Sequence, residues 1–411
     1  MAKIVHVITS LGAGGAERAL YNLLAHTPDA SRQAQVICLT GDGPTAQSIR
    51  ALGVPVTLMD MQPGKASLGA AWKLRGLLSS ARPDLVQTWM YHADLLGGLA
   101  ARMAGVRAVI WGVHHADLSP QWTKPGTIKV ARWCGRLSRS IPARIVLAAE
   151  SARAVHAGIG YAEDKMVVIP NGVDVTRFRP DPQSRATLRA ELGIAGDAPV
   201  VILPARFHPI KDQRTFLQAA GTVAGSMPDA QFLLCGSGIT PENEELMGWI
   251  SALGLGMYVR LLGQWDDMPR LLSACDVGCL SSASEAFPLS LVEMMACGLP
   301  CAATDAGDSA RIIADTGQVV PPANPTALAG SLTALLQLAP EARQGLHRTH
   351  GAGLRRPVRR CAGRTCMKIL LVANTDWYLF NFRLLLAQAL RDRGHEVVLV
   401  SPPGGYSSRL Q

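Results

Sequence analysis

Two carboxylates eight positions apart, Glu285 and Glu293, lie in the run Ser284-Glu-Ala-Phe-Pro-Leu-Ser-Leu-Val-Glu-Met-Met-Ala-Cys-Gly-Leu-Pro300. Pro288 suits the first turn of a helix, Gly298 its end and Pro300 the break beyond it. This spacing leaves Glu285 in the loop before the helix and puts Glu293 more than a turn inside it. The free N–H groups of Leu289 and Ser290 then point out of the helix start as donors for an anion. In an ordinary helix Glu293 would be solvated, but Leu291, Val292, Met294 and Met295 around it argue against simple exposure. A second set is Ala205-Arg-Phe-His-Pro-Ile-Lys211, which follows a strand pattern and precedes a helical one. A guanidinium and an ammonium so placed can clamp a diphosphate, the first in bidentate fashion and the second as a point charge. Without that placement, Arg206 and Lys211 read as two solvated surface cations. The third set is Leu11-Gly-Ala-Gly-Gly-Ala-Glu17, between the first strand and the first helix. It resembles a phosphate loop, although Gly12, Gly14 and Gly15 are not G-x-G-x-x-G and no acid closes the second strand, which weakens a dinucleotide-binding role. A plain tight turn is an equal reading of that loop by itself.

The elements that must position these residues alternate along the chain. Val5-His-Val-Ile, Gln35-Val-Ile-Cys-Leu, Val54-Pro-Val-Thr-Leu, Leu85-Val-Gln-Thr, Ala108-Val-Ile-Trp and Ile145-Val-Leu-Ala read as strands, with helical patterns such as 16–25 and 94–103 between them. Apolar strand runs separated by helices signal a parallel sheet covered on both faces. This defines an N-terminal Rossmann-like domain over 1–173. A polar stretch, 174–198, reads as the linker. The alternation restarts at Val200-Val-Ile-Leu-Pro and gives a second doubly wound domain over 199–344. The α/β chain therefore predicts two facing Rossmann-like domains with a cleft between them.

At 411 residues the length fits two domains and part of a third. Apolar residues at 48% and charged residues at 17% exclude a disordered chain. The net charge of +9 is concentrated at the end, where 345–411 holds 11 Lys/Arg against 3 Asp/Glu, so no basic surface for nucleic acid covers the body. The nine cysteines contain no C-x2-C pair, and no apolar run reaches the roughly 18–20 residues of a membrane span. A cytoplasmic setting is expected. The six Arg, two His and no acid of 345–366 predict disorder, and 367–411 reads as a partial βαβ unit, as if the start of a neighbouring reading frame had been joined, by a frameshift or a gene fusion, to a shortened chain.

The chain resembles the retaining glycosyltransferases of family 4, with the GT-B fold. The resemblance covers residues 3 to about 340 and rests on Gly14-Gly-Ala-Glu-Arg18, Pro170-Asn-Gly-Val-Asp174, the Arg206/Lys211 pair, Gly236-Ser-Gly238 and the E-x7-E of Glu285 and Glu293. It implies that Glu293 binds the ribose of a nucleotide sugar and Glu285 the transferred sugar. Arg206, Lys211, Leu289 and Ser290 would hold the diphosphate, approached from the other domain by Gly14 and Gly15, with Gly236 also on the donor side. His114, in Trp111-Gly-Val-His-His-Ala-Asp, matches the histidine that faces the sugar; His115 beside it makes the match ambiguous. The donor is expected to be a UDP- or GDP-sugar, with no further cofactor and no metal, since the chain has no D-x-D. Two departures stand out. Ala286 replaces the usual glycine, and the Arg-rich segment stands where the family has a closing helix.

The implied function is sugar transfer with retention to a glycan or lipid-linked acceptor, in surface polysaccharide or glycolipid assembly. The alternatives are a GT-B nucleotide-sugar epimerase and a catalytically silent nucleotide-sugar-binding protein. A helix over 127–140 would put Lys129, Arg132, Arg136 and Arg139 on one face and Val130, Trp133, Cys134 and Leu137 on another. Such a helix can lie on an anionic membrane, placing the enzyme peripherally on the inner face of the cytoplasmic membrane, or pack as an ordinary surface helix.

Overall fold

The computed structural model describes residues 2–12, 14–27, 33–62, 68–314, 316–337, 368–372 and 396–400. The first domain holds a seven-stranded sheet of β1 (Ile4–Ile8), β2 (Ala34–Cys38), β3 (Val56–Leu58), β4 (Leu85–Trp89), β5 (Val109–Val113), β6 (Arg144–Leu147) and β7 (Met166–Val168), in the order β3-β2-β1-β4-β5-β6-β7. All its pairs are parallel. The near-continuous apolar runs have their reason here: Val5, Val7, Val36, Val86, Val109 and Ile145 are fully buried under helices. Those helices are α1 (Gly15–His26), α2 (Pro44–Ala51), α3 (Leu68–Ala81), α4 (Tyr91–Met103), α5 (Pro125–Leu137) and α6 (Ser151–Gly158).

The stretch 174–198, read as a linker, contains α7 (Pro182–Glu191). Asp181 caps it by accepting from the N–H groups of Gln183 and Ser184 at 3.1 and 3.0 Å. Its Arg185 and Arg189 reach Asp276 at 2.7 and 3.5 Å, so the helix is docked on the second domain.

That domain contains β8 (Val200–Pro204), α8 (Gln213–Ser226), β9 (Gln231–Cys235), α9 (Glu244–Ala252), β10 (Val259–Leu261), α10 (Met268–Ser273), β11 (Val277–Leu280), α11 (Leu289–Ala296), β12 (Cys301–Thr304), α12 (Ser309–Ile313), β13 (Gln318–Val320) and α13 (Pro325–Leu336). Its six parallel strands run β10-β9-β8-β11-β12-β13. Phe216 of α8 meets Phe232 of β9 edge to face at 6.1 Å, both fully buried, each worth about 1.5–3 kcal/mol of burial.

In both sheets the strand order reverses once, between β1 and β4 and between β8 and β11. Ligands of open α/β sheets bind at the carboxyl ends of strands flanking such a reversal. The topology therefore brings the loop after β1 to one crevice, and the loops after β8 and β11 to the other.

Beyond 337, β14 (Lys368–Val372) and β15 (Glu396–Val400) form a parallel pair with Lys368 opposite Glu396. The Arg-rich 345–366 segment and the helical pattern between these strands lie outside the described residues.

Candidate active site

The loop 205–211 leaves β8 and turns through the short helix Pro209–Lys211 into α8. Asp212 ends that turn in the left-handed region, φ 47°, and its side chain caps α8 at the Thr215 N–H, 3.1 Å. Lys211 is thereby held over the crevice. Its ammonium pairs with the Glu285 carboxylate, which also accepts from the Ser282 hydroxyl at 2.7 Å. Glu285 comes from the loop after β11, the strand next to β8, so residues far apart in sequence meet because their strands are neighbours. Arg206, in the same loop as Lys211, is exposed, and its carbonyl accepts from Gln213 at 2.7 Å.

Gly236 follows β9 with φ 143°. A Cβ there would lie 2.6 Å from the Ala205 carbonyl, so only glycine lets this turn press against the start of the Arg206 loop. The glycine thus lets the turn after β9 lie directly against the backbone of the loop after β8.

Pro288 stands at the N-cap of α11, one position before its first helical residue Leu289. The Leu289 and Ser290 amides belong to the first turn and lack partners within the helix. Glu293 lies beyond them and is 5% exposed. Burial pushes its carboxyl above the ordinary carboxylate range, and the cations of Arg18 and Arg177 pull it back part of the way. Arg18 of α1 reaches it at 2.6 Å from the first domain.

Gly14 is the N-cap of α1 and Gly15 its first residue. A Cβ on Gly14 would strike the Glu17 carboxylate, itself fixed by the Ser10 hydroxyl at 2.7 Å; one on Gly15 would meet nothing within 4 Å. At Gly14 only the tip of the flexible Glu17 side chain would have to move, and Gly15 leaves open space at the helix start.

His114 follows β5. Its ring stacks on Trp89 with centroids 5.2 Å apart and planes 22° apart, and Trp89 in turn donates its indole N–H to His6 at 3.3 Å. His115 instead meets the edge of Tyr91 at 6.3 Å, and Tyr91 is bonded to His156 at 2.8 Å. The two adjacent histidines thus belong to different clusters.

Burial pushes the pKa values of His6, His114 and His156 down to about 4. The His114 ring is therefore neutral at pH 7. In the unfolded chain these groups titrate near 6.5, so as pH falls the unfolded state binds protons first. Their contribution to stability is complete above about pH 6.5 and is lost as the pH falls towards 4. Urea midpoints measured from pH 7 to 4 are expected to drop across that window, and a flat profile would contradict the burial of neutral rings.

Several contributors were not singled out from the sequence. Arg18 is one, though it belongs to the quoted Gly14 to Arg18 motif. Another is Asp308, whose carboxylate spans the domains by accepting from the Glu150 and Ser151 amides, both 2.8 Å, at the start of α6. The Asp308 N–H donates to Ala286 at 3.0 Å, linking the contact to the Glu285 loop. Trp89 and Ser282 support His114 and Glu285 without any motif to announce them.

Helix α5 also differs from expectation. Lys129, Arg132, Arg136 and Arg139 are exposed as expected, but Trp133 is 54% exposed and lies under the Arg136 guanidinium at 5.0 Å. The buried stripe is built from the small Ala131, Cys134 and Gly135, because a Cβ at Gly135 would strike the Ile159 carbonyl. A helix pressed that close to the backbone cannot seat an indole beneath it. No helix among the described residues is long and apolar enough to cross a membrane.

A fold of two parallel-sheet domains facing across Glu285, Glu293 and two cations defines a GT-B enzyme. The profile for Glycosyltransferase Family 4 matches residues 13–177 and that for Glycosyl transferases group 1 matches 184–348. The chain belongs to the retaining glycosyltransferases of family 4. It is 28% identical over 307 residues to the UDP-Gal:alpha-D-GlcNAc-diphosphoundecaprenol alpha-1,3-galactosyltransferase of Escherichia coli, covering 73% of this chain and 78% of that one. It is 28% identical over 280 residues to the GDP-mannose-dependent alpha-(1-6)-phosphatidylinositol monomannoside mannosyltransferase of Mycolicibacterium smegmatis, covering 65% and 69%. Among solved structures, Anabaena HepE in complex with UDP-glucose superposes with a TM-score of 0.72 at 25% identity, over 82% of this chain and 90% of that one.

Proposed function

We propose that the enzyme moves a sugar from a UDP- or GDP-sugar to a lipid-linked saccharide at the inner face of the cytoplasmic membrane, in surface polysaccharide or glycolipid assembly. The observation that carries this reading is the convergence of Lys211 with Glu285 and of Arg18 with Glu293 at the two strand-order reversals. Arg206, Lys211 and the Leu289–Ser290 amides hold the diphosphate, Glu293 the ribose and Glu285 the sugar. Gly14 and Gly15 close on the phosphates from the first domain, Gly236 shapes their floor, and His114 presents a neutral ring to the sugar. The acceptor oxygen bonds to the anomeric carbon as the bond to the diphosphate oxygen breaks, its proton passes to the departing diphosphate, and the anomeric carbon retains its configuration.

As that bond breaks, negative charge grows on the diphosphate. Charge-assisted hydrogen bonds contribute about 1.5–3 kcal/mol each and a helix start up to about 2 kcal/mol. Arg206, Lys211 and α11 together supply on the order of 5–8 kcal/mol, against the roughly 8–23 kcal/mol by which enzymes lower barriers. Positioning of the acceptor supplies the remainder. Protein cations rather than a metal face the diphosphate, in keeping with a chain that has no D-x-D.

The acceptor's membrane is met by α5, where exposed Trp133, Lys129, Arg132 and Arg136, with exposed Arg139 two residues past the helix end, form one outward surface. UDP-galactose, UDP-N-acetylglucosamine and GDP-mannose, each supplied with an undecaprenyl-diphosphate-linked sugar, test the reading directly. Turnover of one of them to an α-linked product is expected; donor binding without turnover would favour a silent binding protein. Changing Lys129, Arg132, Arg136 and Arg139 to Gln is expected to abolish binding to vesicles rich in anionic phospholipid, and unchanged binding would remove the membrane from the account.

A further inference from the structure

We propose that Arg18 is a donor-binding residue supplied by the first domain: it braces Glu293 for the ribose and turns its remaining N–H groups onto the diphosphate. The inference rests on the donor reading above and adds a cation from the opposite side of the cleft.

Three observations support it. Arg18 lies one turn inside α1, its amide bonded to the Gly14 carbonyl at 3.1 Å, so its base is fixed to the glycine loop that faces the phosphates. Its guanidinium reaches Glu293 at 2.6 Å through one nitrogen, and the side chain is 41% exposed while that of Glu293 is 6% exposed. A guanidinium carries five N–H donors, so pairing with one carboxylate oxygen leaves donors to spare. Finally, Glu293 stands three residues beyond Ser290, which is about 4.5 Å along a helix axis. A group seated on Glu293 is therefore within one anion's width of the α11 start.

The charge around the loop gives Arg18 its purpose. The Glu17 carboxylate, fixed by Ser10, packs against Gly14 and would repel a diphosphate approaching that loop. Arg18 is the next residue in the chain and sets a positive charge against it. Because Arg18 belongs to one domain and Glu293 to the other, a nucleotide whose diphosphate meets Arg18 and whose ribose meets Glu293 would also hold the domains together.

The test compares wild type, Arg18→Gln and Arg18→Lys by calorimetric binding of UDP, GDP, uridine and guanosine. For the base that binds, Arg18→Gln is expected to weaken the diphosphate about 10-fold or more and the nucleoside less than about threefold. Arg18→Lys, which keeps the charge and loses the fork, is expected to fall between. Equal weakening of diphosphate and nucleoside would confine Arg18 to Glu293 and overturn the proposal, as would unchanged diphosphate affinity. If wild type binds neither UDP nor GDP, the donor reading itself fails and this proposal falls with it. A melting temperature for Arg18→Gln close to wild type, expected for a partly exposed side chain, separates a binding loss from a folding loss.

Discussion

Glu285→Gln is expected to lower sugar transfer by about 10²–10³-fold while UDP or GDP affinity stays within about threefold of wild type. The carboxylate stands where the strand order reverses, paired with Lys211 and bonded to Ser282 at 2.7 Å, so its position is set before any substrate arrives. Glutamine keeps the shape and the Ser282 contact but removes the negative charge. As the bond to the diphosphate breaks, the sugar acquires positive character, and a fixed carboxylate beside it is worth more in that state than in the ground state. On the proposed reading Arg206, the α11 start and Glu293 hold the nucleotide, so its affinity is not expected to depend on that charge. Freed from its carboxylate, Lys211 remains a cation for the phosphates. Initial rates at saturating donor, set beside calorimetric nucleotide affinities, provide the check. An equal loss in binding and rate would make Glu285 a ground-state ligand, and no loss would remove it from the chemistry.

Asp276→Ala is expected to cost about 3–5 kcal/mol of stability, the largest effect anticipated away from the cleft. Asp276 accepts from Arg185 of α7 at 2.7 Å, from Arg189 at 3.5 Å and from the Val200 N–H at 2.9 Å. The Arg189 side chain is 3% exposed, so removing the carboxylate leaves a guanidinium buried with only backbone carbonyls of Ala198 and Ala274 for partners. The energetic penalty is that uncompensated charge rather than the lost bonds alone. Urea unfolding monitored by circular dichroism should show the midpoint falling steeply. A shift of under about 1 kcal/mol would mean that α7 is not integral to the second domain.

The contrast between the α7 region and the catalytic loops explains what the sequence made legible. Strand runs such as Val5 to Ile8 and Val200 to Pro204 carry their burial in their composition, so both sheets could be read directly. Glu285 and Glu293 were legible because Pro288 and Gly298 bracket a helix and thereby assign one to a loop and the other to a turn. Helix α7 reads as linker in the sequence although Asp181-Pro182 is a helix-start signal, because its buried stripe is short, Leu188 and Arg189 alone, and too small to give an apolar period. Arg18 meeting Glu293 and Asp308 meeting the start of α6 depend on how two separate domains approach, and no local pattern encodes that distance. Which of Val130, Trp133, Cys134 and Leu137 would face the sheet is not encoded in the spacing; the close approach of Gly135 to Ile159 leaves room for Cys134 and not for the Trp133 indole.

The central claim is that one nucleotide diphosphate sits between the start of α1 and the start of α11. A co-crystal structure with UDP or GDP, whichever base binds, tests it most directly. The account predicts the ribose hydroxyls on Glu293, the phosphates within hydrogen-bond distance of Arg206, Lys211 and the Leu289 and Ser290 amides, and Glu285 facing the vacant sugar position. A nucleotide bound elsewhere, with Glu293 still held by Arg18 alone and Lys211 by Glu285 alone, would contradict it.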